Sequence, residues 1–146
     1  MYETVITVVG NVGTEPRQRV VAGGAIVADF RVASTPRRYD KSSGTWSDAG
    51  TTWYRVTCWR ALAEHSTQSL KKGDRVIVTG RLDTKTWVSP QGEERSSLEI
   101  EASAIGFDLS RGPAVQQRVP RDPEAVGAPE ESAEPEHVAD VPDVAA

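Results

Sequence analysis

The stretch TTWYRVTCWR, residues 51–60, carries half of the chain's four tryptophans and mixes them with arginines. Side chains alternate across a β-strand. Read that way, Trp53, Arg55, Thr57 and Trp59 share one face, and Tyr54, Val56 and Cys58 share the other. The Val56/Cys58 face is smaller and more apolar, which suits the inside of a narrow barrel. The Trp–Arg–Thr–Trp face then points outward. At about 7 Å per same-face step, Trp53 and Trp59 lie about 20 Å apart and would serve separate contacts.

The neighbouring segments have the same strand character. TVITVVGNV (4–12) is rich in β-branched residues. GGAIVADFRVAS (23–34) alternates, with Ile26, Ala28, Phe30 and Val32 against Val27, Asp29, Arg31 and Ala33. DRVIVTGRLDTKTW (74–87) and RSSLEIEASAIG (95–106) complete five strands, joined at SPQGEE (89–94) by a hairpin turn. One helix is predicted over ALAEHSTQSLKK (61–72), with Lys71 and Lys72 at its C-terminal end and Gly73 to stop it. PRRYDKSSGTWSDAG (36–50) reads as a long polar loop. Five strands with a helix between the third and fourth is the order of an OB-fold, a Greek-key barrel that often binds oligonucleotides or oligosaccharides.

Composition divides the chain near residue 112. Residues 1–112 hold 15 Lys or Arg against 13 Asp or Glu, and residues 113–146 hold 2 against 8. The net charge of −4 therefore hides a mildly basic body and an acidic end. From Pro113 onward there is no Leu, Ile, Phe, Trp, Tyr, Met or Cys, and six of the nine prolines fall there. Such a segment buries too little apolar surface to offset its ordering entropy, so a disordered tail over 113–146 is expected after a domain over 1–112. Cys58 is the single cysteine, which rules out a disulfide within the chain and fits a reducing cytosol. No secretory leader or membrane-spanning run is read in the sequence, and a cytoplasmic protein is expected.

An outward Trp–Arg–Thr–Trp face suits single-stranded nucleic acid. Bases stack on aromatic rings whatever their sequence, and basic side chains neutralise the phosphates between. The same ring pair could instead cover a subunit interface or pack under a loop. The wider pattern favours nucleic acid, because aromatic and basic residues interleave at further places. Trp87 stands near Lys85 at the end of the fourth strand, and Trp46 and Tyr39 stand with Arg37 and Arg38 in the 36–50 segment. Scattered carboxylates and two distant histidines offer neither a catalytic constellation nor a metal site, so no enzyme activity and no cofactor are expected.

The segments VVGNVGTEPRQR, GGAIVADFRVAS, YDKSSGTW, TWYRVTCWRALAE, SLKKGDRVIVTGRL and KTWVSPQGE follow one another in an order that resembles the bacterial single-stranded DNA-binding proteins, over about residues 4–106. AIGFDLSR (104–111) resembles their actinobacterial branch. The resemblance implies sequence-independent binding of single-stranded DNA in replication, recombination, repair or chromosome maintenance, and a nucleoid-associated location. It implies stacking roles for Trp53, Trp59 and Trp87, with basic positions at Arg55, Lys72 and Lys85. Arg37, Arg38, Tyr39 and Trp46 are candidates in the loop where the family carries a further aromatic. Asp83 and Thr86 stand where the family is often basic. The family also implies a homotetramer, with Tyr54 at a subunit contact. Val5 and Val9 fit such a surface, since the first strand is apolar on both faces. A relative of this kind usually ends in an acidic–aromatic tip that docks replication and repair enzymes. DVPDVAA has two aspartates and no aromatic. That departure counts against such recruitment and fits a second or specialised paralogue whose tail tunes DNA binding by repulsion.

Overall fold

In the computed structural model, which describes residues 2–120, eight strands and one α-helix follow in the order β1 (Val5–Val12), β2 (Arg17–Val20), β3 (Ile26–Ser34), β4 (Arg37–Asp40), β5 (Thr45–Asp48), β6 (Thr52–Trp59), α1 (Arg60–Ser69), β7 (Arg75–Val88) and β8 (Glu94–Phe107). Six strands form one sheet in the order β1-β7-β8-β6-β3-β2. A further pairing of β1 with β3, through Asn11 opposite Ala33 and Val12 opposite Val32, closes β1, β7, β8, β6 and β3 into a barrel. The helix stands between the third and fourth barrel strands, so the architecture is the five-stranded OB barrel that the segment order predicts.

The period-2 pattern explains why the barrel closes where it does. Val8 and Val12 of β1, Phe30 and Val32 of β3, Val56 of β6, Val76 and Val78 of β7 and Ile100 of β8 meet in one buried cluster, joined by Leu70 from beyond the helix. A second cluster of Ala28, Cys58 and Ala63 seats α1 against β3 and β6, with Ile26 and Leu62 packed around it. Small residues at 28, 58 and 63 let the helix backbone approach the sheet closely.

The readings of the helix and of segment 36–50 are corrected. The helix is shorter than 61–72. It ends at Ser69 because Leu70 is already extended, at φ −92° and ψ 138°. Residues 71–74 then form a turn: the Lys71 N–H donates to the Asp74 carboxylate at 2.8 Å, and the Gly73 N–H donates to the Val12 carbonyl at 2.8 Å. Gly73, at φ 97°, therefore serves this turn and not the helix end, and neither lysine lies in the last helical turn. Segment 36–50 is not a plain loop, since β4 and β5 pair as a separate two-stranded sheet, Arg37 with Asp48 through Asp40 with Thr45. Strand β2, whose four residues are all exposed and show no apolar period, pairs with β3 from Arg17 opposite Asp29 to Val20 opposite Ile26. Val27 lies on the outward face of β3 as alternation requires, yet is buried, because Arg19 and Trp59 stand directly opposite it on both sides.

At the C-terminal end of the barrel, Asp108 caps a short 3-10 turn over Leu109–Arg111 and pairs with Arg75 at 3.2 Å. Residues 112–120 have no helix or strand and are exposed. The described residues up to Ala114 belong to one compact unit. Most of the acidic tail, residues 121–146, lies outside the described residues, and so does His137. Among the described residues, no helix is long and apolar enough to cross a membrane, and no three His, Cys, Asp or Glu side chains cluster to hold a metal ion.

Candidate nucleic-acid interface

Strand β6 is the centre of the outward surface. Val56 and Cys58 are buried, while Trp53 and Trp59 on the opposite face keep 44% and 40% of their surface exposed. The register carries this face sideways. Arg31 of β3 stands opposite Arg55, Asp29 opposite Thr57 and Ala33 opposite Trp53. On the other side β8 runs parallel to β6, with Glu99 beside Arg55 and Glu101 beside Thr57. The long β7–β8 hairpin extends past the barrel and presents Trp87, 48% exposed, near its tip.

Two adjoining grooves cross this surface. The first, of about 420 Å³, is lined by Trp53, Trp87, Arg17, Arg31, Arg55 and Asp29 with Thr14, Glu15, Phe30, Ser97 and Leu98. The second, of about 450 Å³, is lined by Arg19, Arg55, Thr57, Lys85, Trp87, Ser97 and Glu99. Arg55, Trp87 and Ser97 belong to both, so the grooves form one path. Five basic side chains line the path against three carboxylates, Glu15, Asp29 and Glu99. Part of the positive charge is already engaged, because Arg55 pairs with Asp29 at 3.2 Å.

Of the residues singled out from sequence, the fold brings Trp53, Arg55, Lys85 and Trp87 together on this path. Trp59 shares the outward face but lies at the far end of β6, beyond both grooves. Lys72 is exposed in the turn after α1 and does not line either groove. Arg37, Arg38, Tyr39 and Trp46 are exposed on the β4–β5 hairpin, whose strand pairing is internal. There Tyr39 and Trp46 stand opposite each other with ring centroids 5.3 Å apart and planes tilted by 53°, and Arg37 lies 3.6 Å from Asp48. Sequence reading missed Arg17, Arg19 and Arg31. The alternation R-Q-R at 17–19 and the outward set Asp29/Arg31 were signals for them, but only the register shows that β3 flanks β6 and that β2 lies next to β3.

The Trp53 ring has a defined seat. A methyl group at position 13 would overlap it, so any larger residue there would push the ring out of this seat. The Gly13 N–H donates to the Arg31 carbonyl at 2.7 Å, and the Arg31 N–H donates to Thr14 Oγ1 at 3.0 Å. The Arg31 guanidinium lies 4.7 Å from the centroid of the Trp53 ring, a cation–π contact. Cys58 takes no part in the surface. Burial pushes its thiol pKa up, and its Sγ faces the Ala28 carbonyl at 3.7 Å. Away from the grooves, Val5 and Val9 are exposed on the outside of β1, with Ile77 opposite Val9 and also exposed, whereas Tyr54 is half-buried against its own chain's core.

Residues 4–108 match the model of the single-strand binding protein family. A single-stranded DNA-binding protein of Corynebacterium glutamicum is 44% identical over 119 residues, which is 82% of this chain and 53% of that protein, so the chain spans about half of that relative's length. The crystal structure of a small single-stranded DNA-binding protein from Streptomyces coelicolor superimposes with a TM-score of 0.70 at 43% identity, covering 77% of this chain and 100% of that one. A Plasmodium falciparum SSB in complex with ssDNA superimposes with a TM-score of 0.60 at 28% identity, over 73% of this chain and 98% of that one.

Proposed function

Because the chain belongs to the single-strand binding protein family, we propose that its barrel binds single-stranded DNA along the grooved face of β6, without regard to sequence and without catalysis. The observation that carries this reading is the placement of Trp53 and Trp87, both exposed, in one path with Arg17, Arg19, Arg31, Arg55 and Lys85. Each ring offers a stacking surface worth about 1–3 kcal/mol per base. Ring faces do not read base edges, so the affinity is insensitive to sequence. The guanidinium and ammonium groups neutralise phosphates and release counterions.

Trp59 extends the path along β6, and the β4–β5 hairpin adds Tyr39, Trp46, Arg37 and Arg38 as an arm beyond the barrel. Lys72 adds charge near the start of β7. The apolar outer face of β1, with Val5, Val9 and the neighbouring Ile77, supports self-association into a homotetramer, to which Tyr54 contributes from its half-buried position. The domain comprises residues 1–112 and the acidic remainder modulates binding. Such a protein serves replication, recombination, repair or chromosome maintenance in the cytoplasm, at the nucleoid. Competition among a single-stranded DNA, an RNA of the same length and the corresponding duplex tests the ligand class. Single-stranded DNA is expected to displace the other two, and a preference for duplex or RNA would overturn the assignment.

A further inference from the structure

Arg31 is placed between two demands. Its guanidinium covers part of the Trp53 ring, at 4.7 Å from the centroid, while Gly13 lies against the same ring. Its cross-strand partner is another arginine, Arg55. Directly opposed residues of an antiparallel pair have Cβ atoms about 4.5–5.5 Å apart, and like charges there repel. Arg55 is compensated by Asp29 at 3.2 Å. Arg31 is in none of the six ion pairs among the described residues. Both guanidinium groups, with Arg17, face the same groove of about 420 Å³.

A phosphate entering this groove finds an uncompensated guanidinium next to a compensated one. We propose that Arg31 is a phosphate-binding residue whose side chain also covers Trp53 in the free protein, so that its withdrawal onto a phosphate uncovers the ring for a base. One side chain then couples charge neutralisation to stacking. Backbone hydrogen bonds from Gly13 and to Thr14 hold the Arg31 main chain in place, so only the side chain has to move. The cation–π contact parks the guanidinium where it cannot collapse onto Asp29, which Arg55 already occupies.

The inference rests on the reading of this face as the DNA path. Its test uses the full-length chain in two measurements. In a variant that keeps Trp53 as its only tryptophan (Trp46, Trp59 and Trp87 changed to Phe), acrylamide quenching of the DNA-free protein is compared with and without Arg31→Ala. The Ala variant is expected to quench more readily. In the otherwise native chain, oligo(dT) affinity is measured across a salt series for the native protein, Arg31→Ala and Arg31→Lys. Loss of one phosphate contact on a single strand lowers the slope of log affinity against log salt by about 0.7. Arg31→Ala is expected to show that drop, and Arg31→Lys, which keeps the charge, is expected to retain the native slope. An unchanged slope in Arg31→Ala overturns the phosphate role. An unchanged acrylamide response overturns the covering role. Failure of the native chain to bind oligo(dT) would instead overturn the function proposed above, which keeps the two outcomes distinct. The Lys variant guards against a folding defect, since it preserves both the exposed position and the backbone bonds.

Discussion

Between Gly13 and Arg31 a single indole finds its place by the absence of one side chain and the presence of another. That pairing was half legible in the sequence. Period-2 alternation alone puts Trp53, Arg55 and Trp59 on one face, since it depends only on spacing within one strand. Arg17, Arg19 and Arg31 were illegible as groove residues because their placement depends on which strands become neighbours, and that is a property of non-local register. The same limit applies to Gly13, whose role is visible only once β6 lies beside it. Truncating Trp53 or Trp87 to Ala is expected to weaken oligo(dT) binding by about 1–3 kcal/mol each, read by titration at fixed salt. Loss of neither would remove the groove from the account. Asp108 caps the 3-10 turn and lines neither groove. The Ser110 hydroxyl and backbone N–H, and then Arg75, hold its carboxyl below the usual carboxylate range. A depressed folded pKa contributes stability above the unfolded pKa, and this contribution is lost as pH falls through the folded value. Asp108→Asn is therefore expected to melt below the native protein at neutral pH, with the difference vanishing in acid. A difference independent of pH would refute that cause.

Among the elements, the five barrel strands were legible because each is rich in β-branched residues or keeps a run of apolar residues on one side for long enough to show a period. The helix was legible in kind but not in length. Its last expected turn was lost to the Asp74 turn, which satisfies the backbone of residues 71 and 73 by tying them to Asp74 and Val12. Strands β2, β4 and β5 were hidden by their shortness and polarity, since all twelve of their residues are exposed and carry no buried face to read. The β4–β5 hairpin is anchored at its base by Thr35 with Thr51 at 2.7 Å and by the Ala49 N–H to the Pro36 carbonyl at 2.8 Å. It contributes nothing to either buried cluster. Replacing residues 37–48 with a tight turn is expected to cost less than about 1 kcal/mol, a melting shift of no more than about 4–8 °C, while lowering affinity for long single strands. Unfolding on removal of the hairpin would show that the barrel depends on it.

For the whole molecule, charge and apolar surface divide the labour. The basic excess of residues 1–112 and the acidic excess of 113–146 are plain in the composition. The self-association surface proposed above starts from β1 being apolar on both faces, and Ile77 is added to it only by its register with Val9. A charge buried in such an interface is costly. Val9→Asp is accordingly expected to shift the protein in sedimentation toward smaller species without unfolding it, and an unchanged sedimentation profile would place the assembly surface elsewhere. The central claim is that exposed tryptophans and basic groups of one face bind single-stranded DNA together. Tryptophan emission of the full chain titrated with poly(dT) at several salt concentrations tests it most directly. The account predicts strong quenching, with log affinity falling linearly against log salt by about 0.7 per phosphate contact, and no quenching by any single strand would contradict it.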